Sequence, residues 1–347
     1  MKKITIAVTG LNAIDNPGPG VPVIRALRES EHFEARIVGL AYEDLEPGIY
    51  LHELVDKSYM IPYPSLGQDT LLKRLEYIHA REEIDVLIPN FDAELFNFIK
   101  LQPALEKMGI KTLLPDVEQF EERLKGHLPA YAEKYGLRVP ESVEVHNLAE
   151  MGAALRQMLY PAVIKGKFYE AYIAWSYDQA VNYFHKISSK WGLPVVVQRF
   201  VKGVELNVTA IGDGEGHLIG AVPMRKTYIT DNGKGWAGIS LADEELLEAS
   251  RKVVEGSRWP GGMELEFIRE EKSGDLYLIE INPRFPAWVY LSVGCGQNHP
   301  EALVRMALGE EVEPWKAYEV GKMFVRYSYD LICDLEEFEQ IATHGEL

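Results

Sequence analysis

Short apolar runs alternate with amphipathic stretches along the first third of the chain. "KITIAVTG" and "EARIVGLAY" read as buried strands, with "GVPVIRALRES" between them as a helix. "TLLKRLEYIHAREE" has helical spacing and delivers the apolar "IDVLIPN"; "ELFNFIKLQPALEKMG" is helical again and leads to "IKTLLP". Short apolar strands separated by amphipathic helices predict a parallel sheet covered on both faces. Residues 1–115 therefore read as a doubly wound parallel α/β domain.

The pattern then changes. Residues 116–202 read as a small α+β lobe: a helix in "VEQFEERLKGHLPAYAEKYG", the strand-bearing "PAVIKGKFYEAYIAWS", the helix "YDQAVNYFHKISSKWG" and the strand "PVVVQRFV". Residues 203–347 carry longer, more alternating runs, "GVELNVTAIGDG", "HLIGAVPMRKTY", "GGMELEFIREE" and "LYLIEINPR", which predict an antiparallel sheet. "DEELLEASRKVVEGS" and "PEALVRMALGE" read as flanking helices, and "KMFVRYSYDLI" as a closing strand.

Formal net charge is −17, from 53 acidic and 36 basic residues. That balance argues against general binding to nucleic acid or anionic membrane, both of which demand surplus Lys and Arg. The two cysteines, Cys295 and Cys333, make neither a disulfide framework nor a zinc spacing, so a cytoplasmic setting is the expectation. No run approaches the roughly 18 to 20 apolar residues of a membrane span.

The chemistry concentrates in "GDLYLIEINPRF". Glu280 sits between two isoleucines in an apparent strand, and an ionised carboxylate among apolar neighbours is costly unless something positive pairs with it. Residues two apart share a strand face, so Leu278, Glu280 and Asn282 point the same way. "MELEF" places Glu264 and Glu266 on one face of a neighbouring strand. Glu266, Glu280 and Asn282 then form an all-oxygen set suited to magnesium, and the planar fork of Arg284 fits phosphate. The plainer alternative is a Glu280 salt-bridged to Arg or Lys.

The motif "GGMELEF…YLIEINPRF" resembles the ATP-grasp superfamily, most closely its carbamoyl-phosphate synthase and biotin carboxylase branch. The resemblance covers residues 115–310 closely and the first domain loosely. It implies an N-terminal α/β domain followed by an ATP-grasp fold, with ATP and two Mg2+ ions (or Mn2+) as cofactors. It implies metal roles for Glu266, Glu280 and Asn282 and a phosphate or transition-state role for Arg284. Lys125, in "RLKGHLPAYAEKYGLRVP", and Lys165, ending "YPAVIK", fit the two nucleotide lysines. "VVVQRFVKGVE" matches the adenine hinge: Gln198, Arg199, Phe200 and Val201 would line the base, and Glu205 would take the ribose hydroxyls. After Lys165 the family's glycine-rich lid is replaced by "KGKFYEAYIAWS", whose Lys167, Tyr169 and Tyr172 could cover phosphates instead.

Two further stretches bear on substrate. "NAIDNPGPGVPVIRALRE" is either an anion loop or a structural turn. "PMRKTYITDNGKGWAG" ends a strand with Arg225 and Lys226 before what reads as a mobile loop, and Arg225 is expected to grip a substrate carboxylate or phosphate. The reading is an ADP-forming ligase acting on a small-molecule carboxylate and an amine, catalysed by Arg284, Lys165 and Arg225. The alternative is an ATP-binding module or sensor with little ligase activity. The oligomeric state stays open, a homodimer included.

Overall fold

A computed structural model describes residues 1–13, 16–167, 170–230 and 233–347. The chain divides into two units. The larger holds Met1–Val117, Val208–Glu264 and Asn282–Leu347, and the smaller holds Glu118–Asn207 and Leu265–Ile281.

The larger unit begins with β1 (Lys2–Val8), β2 (Phe33–Ala41), β3 (Lys57–Met60) and β4 (Val86–Ile88), in the order β3-β2-β1-β4. Every pairing is parallel. β1 buries Ile4, Ile6, Ala7 and Val8 because both sheet faces are covered. Ile4, Ile6 and Val8 pack with Val23, Ile24 and Leu27 of helix Gly20–Arg28. On the opposite side, Ala7, Val38 and Leu40 pack with Leu75 and Ile78 of helix Gln68–Glu82 and with Phe98 and Leu105 of helix Asp92–Met108. The first cluster also contains Ile211, Ile219, Phe285, Leu303 and Ile341, so the opening sheet shares its core with later parts of the chain.

The stretch "NAIDNPGPG" ends in close backbone approach. Gly20 N–H donates to Gly10 O at 2.9 Å, and a Cβ on Gly20 would stand 2.2 Å from Thr9 O. Gly10, two residues before the stretch, and Gly20, its last residue, are thus accounted for by this close approach. "IKTLLP" forms only a single parallel bridge, Val86 to Lys111, rather than a strand.

The smaller unit contains β5 (Ser142–Val145), β6 (Ala162–Lys165), β7 (Ala171–Ala174) and β8 (Val195–Arg199), ordered β5-β8-β6-β7 and antiparallel throughout. Helices Leu148–Met158 and Tyr177–Trp191 pack against it. Each is started by a side-chain cap: Asn147 accepts from Glu150 N–H and Ser176 from Gln179 N–H.

A six-stranded sheet contains β9 (Gly203–Asp213), β10 (Leu218–Ile229), β11 (Gly235–Ser240), β12 (Pro260–Glu270), β13 (Leu276–Asn282) and β14 (Met323–Val325), ordered β13-β12-β9-β10-β11-β14. The mixed α/β class and the change from parallel to antiparallel sheets match the sequence expectation. Two local expectations differ. "GKGWAG" is largely strand β11, held by antiparallel pairing to β10 on one side and β14 on the other. The closing strand shortens to Met323–Val325, because it lies at the sheet edge and Tyr327, Tyr329 and Ile332 beyond it are exposed.

Candidate nucleotide and substrate site

In the smaller unit, β6 carries Lys165 inward at its last position, leaving it 6% exposed. Its Nζ donates to Ile279 O at 3.5 Å. Burial, and then the Lys125 ammonium, push its pKa from 10.5 down to about 8, against the opposing pull of Glu280, Glu266 and Glu205. Four residues singled out by the sequence therefore converge electrostatically on the Lys165 ammonium. Lys125 Nζ is 3.2 Å from Glu280 Oε1, so the half-buried carboxylate on β13 has a cationic partner.

The expected hinge is built mostly by side chains engaged with protein. Gln198 is buried and donates from Nε2 to Ser142 Oγ at 2.9 Å. Arg199 Nη1 donates to Glu270 Oε1 at 3.2 Å and its guanidinium lies 5.1 Å from the Tyr277 ring centroid. Phe200 is tilted against Trp175, Val201 is buried and Glu205 is exposed. Tyr172 stacks on Tyr183 with centroids 4.7 Å apart. Tyr169 lies outside the described residues.

In the larger unit, Glu264 is the hub. Its Oε2 accepts from Asn282 Nδ2 at 3.1 Å and Arg284 Nη1 at 3.4 Å, and its Oε1 from Trp288 Nε1 at 2.8 Å. Arg284 Nε also donates to Asp92 Oδ2 at 3.0 Å. Arg326 Nη2 donates to Ala287 O at 2.7 Å, while its Nη1 is buried with no hydrogen-bond partner among the described residues. Burial pushes Arg326 down to about 10, with the Glu264 charge working against the shift. Arg225 is exposed on β10 opposite Ile239, with no side-chain hydrogen bond or ion pair among the described residues.

Residues 193–327 match the family model described as an ATP-grasp in the biosynthetic pathway with Ter operon. That stretch is similar to an ATP-grasp domain. It is 25% identical over 279 residues to the carbamoyl phosphate synthase large chain of Agathobacter rectalis, covering 75% of this chain and 25% of that one. The Clostridium perfringens large chain gives 25% over 283 residues, covering 74% and 24% respectively. The chain thus spans about a quarter of the length of the curated relatives it matches. Among solved structures, a biotin carboxylase complex with β-γ-ATP from Campylobacter jejuni superposes with a TM-score of 0.72 at 16% identity, over 93% of this chain and 74% of that one. The biotin carboxylase domain dimer of 2-oxoglutarate carboxylase from Hydrogenobacter thermophilus, bound to MgADP, ADP and bicarbonate, gives 0.71 at 18%, over 93% and 73%. N5-carboxyaminoimidazole synthetase from Staphylococcus aureus gives 0.67 at 15%, over 93% and 82%. These likenesses establish the ATP-grasp fold.

Sequence reasoning left four residues around this domain's motif without a role. Glu264 carried a signal, because it alternates with Glu266 on β12. Asp92, Trp288 and Arg326 carried little, since an isolated charge or indole declares no partner. Among the described residues no group of three or more His, Cys, Asp or Glu is arranged to hold a metal, and the expected set has only two carboxylates beside the Asn282 amide.

Proposed function

We propose that the protein is an ATP-dependent, ADP-forming ligase that joins a small carboxylic acid or amino acid to an amine. The observation that carries this reading is the convergence of Lys125, Glu280, Glu266 and Glu205 on the buried Lys165 ammonium. Burying a lysine is costly, and a lysine beside a second lysine more so. A triphosphate is the kind of ligand that repays such an arrangement, because it supplies charge to both ammonium groups at once.

Three carboxylates face two ammonium groups there, so the cluster keeps a negative excess that a divalent cation can balance. Glu266, Glu280 and the amide oxygen of Asn282 are an all-oxygen donor set that fits magnesium, with manganese as a substitute. When bound, the metal would neutralise phosphate charge. The chain's own residues do the rest. Lys125 and Lys165 orient the phosphates, and the backbone after Gln198 receives the base beside Phe200 and Val201. Glu205 takes the ribose hydroxyls. Arg284, steered by Asp92 and Glu264, offsets charge as a substrate carboxylate oxygen bonds to the γ-phosphorus. The bond from that phosphorus to the β–γ bridging oxygen breaks, releasing ADP and leaving an acyl phosphate. An amine nitrogen then bonds to the carbonyl carbon, the acyl–phosphate C–O bond breaks to release inorganic phosphate, and the nitrogen loses a proton to solvent or to that phosphate. Phosphoryl transfer of this kind depends chiefly on positioning and charge. Arg225 and Arg326 are the carboxylate anchors. A homodimer belongs to the same reading, as the Hydrogenobacter thermophilus neighbour is a dimer.

A second reading, a nucleotide-binding module with little turnover, is favoured by the stretch after Lys165. Only Gly166 is present there, and Glu170 is tied to Lys190 Nζ at 2.8 Å. ADP release with Mg-ATP against mixed amino acids and small acids separates the two: acid-dependent release supports the ligase, and nucleotide binding without release supports the module.

A further inference from the structure

The carboxyl ends of β1, β2 and β4 enclose a second acidic cluster that the ligase reading leaves unused. Glu94 is fully buried and accepts from Thr9 Oγ1, Tyr42 OH, Asn90 N–H and Phe91 N–H, the last two at 2.8 and 3.0 Å. Glu46 is 4% exposed; its Oε1 accepts from Tyr42 N–H at 2.8 Å and Glu43 N–H at 3.2 Å. Its Oε2 is buried with no hydrogen-bond partner among the described residues. Asn90, 0% exposed, donates from Nδ2 to Thr9 O at 3.1 Å and Ile88 O at 3.0 Å, and its Oδ1 is likewise buried without a partner. Leaving such an acceptor unmet carries the full desolvation cost of the group. Two of them in one cluster call for a donor.

The position in the fold favours a ligand. The chain runs from β1 through β2 to β3 on one side and returns to β4 on the other, so strand order reverses between β1 and β4. Ligands of open α/β sheets bind outside the carboxyl ends of the strands at such a reversal. Asp92, between Asn90 and Glu94 in sequence, bonds to Arg284 at 3.0 Å, which puts the crevice next to the proposed phosphate-side arginine.

The chemistry narrows the ligand. The Tyr42 ring stacks on Tyr63 at 5.7 Å and meets Phe91 at 6.0 Å. Aromatic faces beside carboxylates and amide oxygens suit an organic cation. An anion would bring more acceptors to acceptors and add charge to Glu43, Asp44, Glu46 and Glu94. Burial, reinforced by the Glu94 charge, pushes the Glu46 carboxyl up to about 7, the mark of a carboxylate with no cation beside it.

We infer that this crevice binds an organic ammonium, the amine co-substrate of the proposed ligation, with Glu46 Oε2 and Asn90 Oδ1 accepting its N–H donors against the Tyr42 and Phe91 rings. The inference rests on the ligase reading for the word co-substrate, and on the crevice alone for the ligand class. Calorimetric titration of the full chain without nucleotide tests it, using methylammonium, ethanolamine and putrescine against methanol, ethylene glycol and butanediol, with acetate and phosphate as anions. At least one amine binds about tenfold more tightly than its alcohol, and the anions do not compete. Glu46→Gln weakens that amine about tenfold, and Tyr63→Ala, at an exposed ring, weakens it about threefold. Equal affinity for amine and alcohol, or unchanged amine affinity in Tyr63→Ala together with a folded Glu46→Gln, overturns the assignment. If Glu46→Gln fails to fold, Tyr63→Ala decides alone. Amine binding without ADP release for any acid sinks the ligase reading and leaves the crevice standing; ADP release without amine binding does the reverse.

Discussion

Lys125 Nζ stands 3.2 Å from Glu280 Oε1, a pair whose side chains are 12% and 27% exposed. Solvent reaches both ends, so the pair contributes little to stability, typically about 0–1 kcal/mol. Under the proposed function, its value lies in holding a cation and an anion ready for exchange with phosphate and metal. Glu280→Gln is therefore expected to keep the fold and its melting midpoint while lowering ATP turnover on the order of a hundred- to thousandfold. Chelation of divalent ions lowers wild-type turnover similarly. ADP release measured beside a thermal melt checks both, and wild-type turnover in the variant would falsify the metal role of Glu280.

Lys165 should display a stability and a function that oppose each other. Its pKa is about 8 in the folded chain against 10.5 ordinarily. Below pH 8 the lysine is protonated in both folded and unfolded states, and the burial cost is fully present. Between 8 and 10.5 the folded state sheds its proton first, so stability rises with pH. ATP affinity moves the other way, falling as the ammonium is lost. At about 1.36 kcal/mol per pKa unit, the cost below pH 8 is on the order of 3 kcal/mol. Lys165→Met should thus resist urea better than wild type at pH 7, bind ATP poorly, and lose the stability rise above pH 8. A urea midpoint for Lys165→Met below wild type at pH 7 would contradict the burial argument.

Glu264 is the opposite case, a carboxylate whose partners depend on it. It accepts from Asn282, Arg284 and Trp288, and Arg326 is shifted by its field. Removing one member of a buried charged set typically costs about 3–5 kcal/mol, because the others are left uncompensated. Glu264→Ala is expected to fall in that range by chemical denaturation, and Glu264→Gln, which keeps the shape, to lose less stability but still disorient Arg284. Unchanged stability in Glu264→Ala would show that the hub is dispensable.

How far the sequence speaks depends on whether a feature is local. The apolar run from Ile4 to Val8 and the spacing that places Lys165 at a strand end announce themselves within a few residues, and so does Glu280 between isoleucines. β11 does not, because "GWAGIS" has glycines where strand formers are expected and is made a strand by neighbours on both sides. "IKTLLP" has the opposite fault: it is apolar enough for a strand but gains one bridge. The Asp92–Arg284 bond joins residues 192 positions apart, and Trp288 finds Glu264 across 24. Nothing near Asp92 or Trp288 in the chain carries that information. The plainer expectation for Glu280, a lysine partner, is also what Lys125 provides, and the nucleotide reading uses that pair rather than competing with it.

The two arginines proposed to anchor the substrate carboxylate differ in how each would respond to loss. Arg225 is exposed on β10 with no side-chain partner among the described residues, so truncating it disturbs no packing. Arg326 is held by Ala287 O and buries an Nη1 that has no hydrogen-bond partner among the described residues, so truncating it removes both a donor and a structural contact. If the acid is gripped by Arg225, Arg225→Ala raises its KM about tenfold, the worth of one charged hydrogen bond of about 1.5–3 kcal/mol reduced by solvent, while the KM for ATP holds. Arg326→Lys keeps the charge but lacks the planar fork, and is expected to lower kcat/KM for the acid with little change in melting midpoint. Steady-state kinetics with the acid varied at saturating ATP distinguishes them. An acid KM unmoved by Arg225→Ala removes that residue from the site and leaves Arg326 as the anchor.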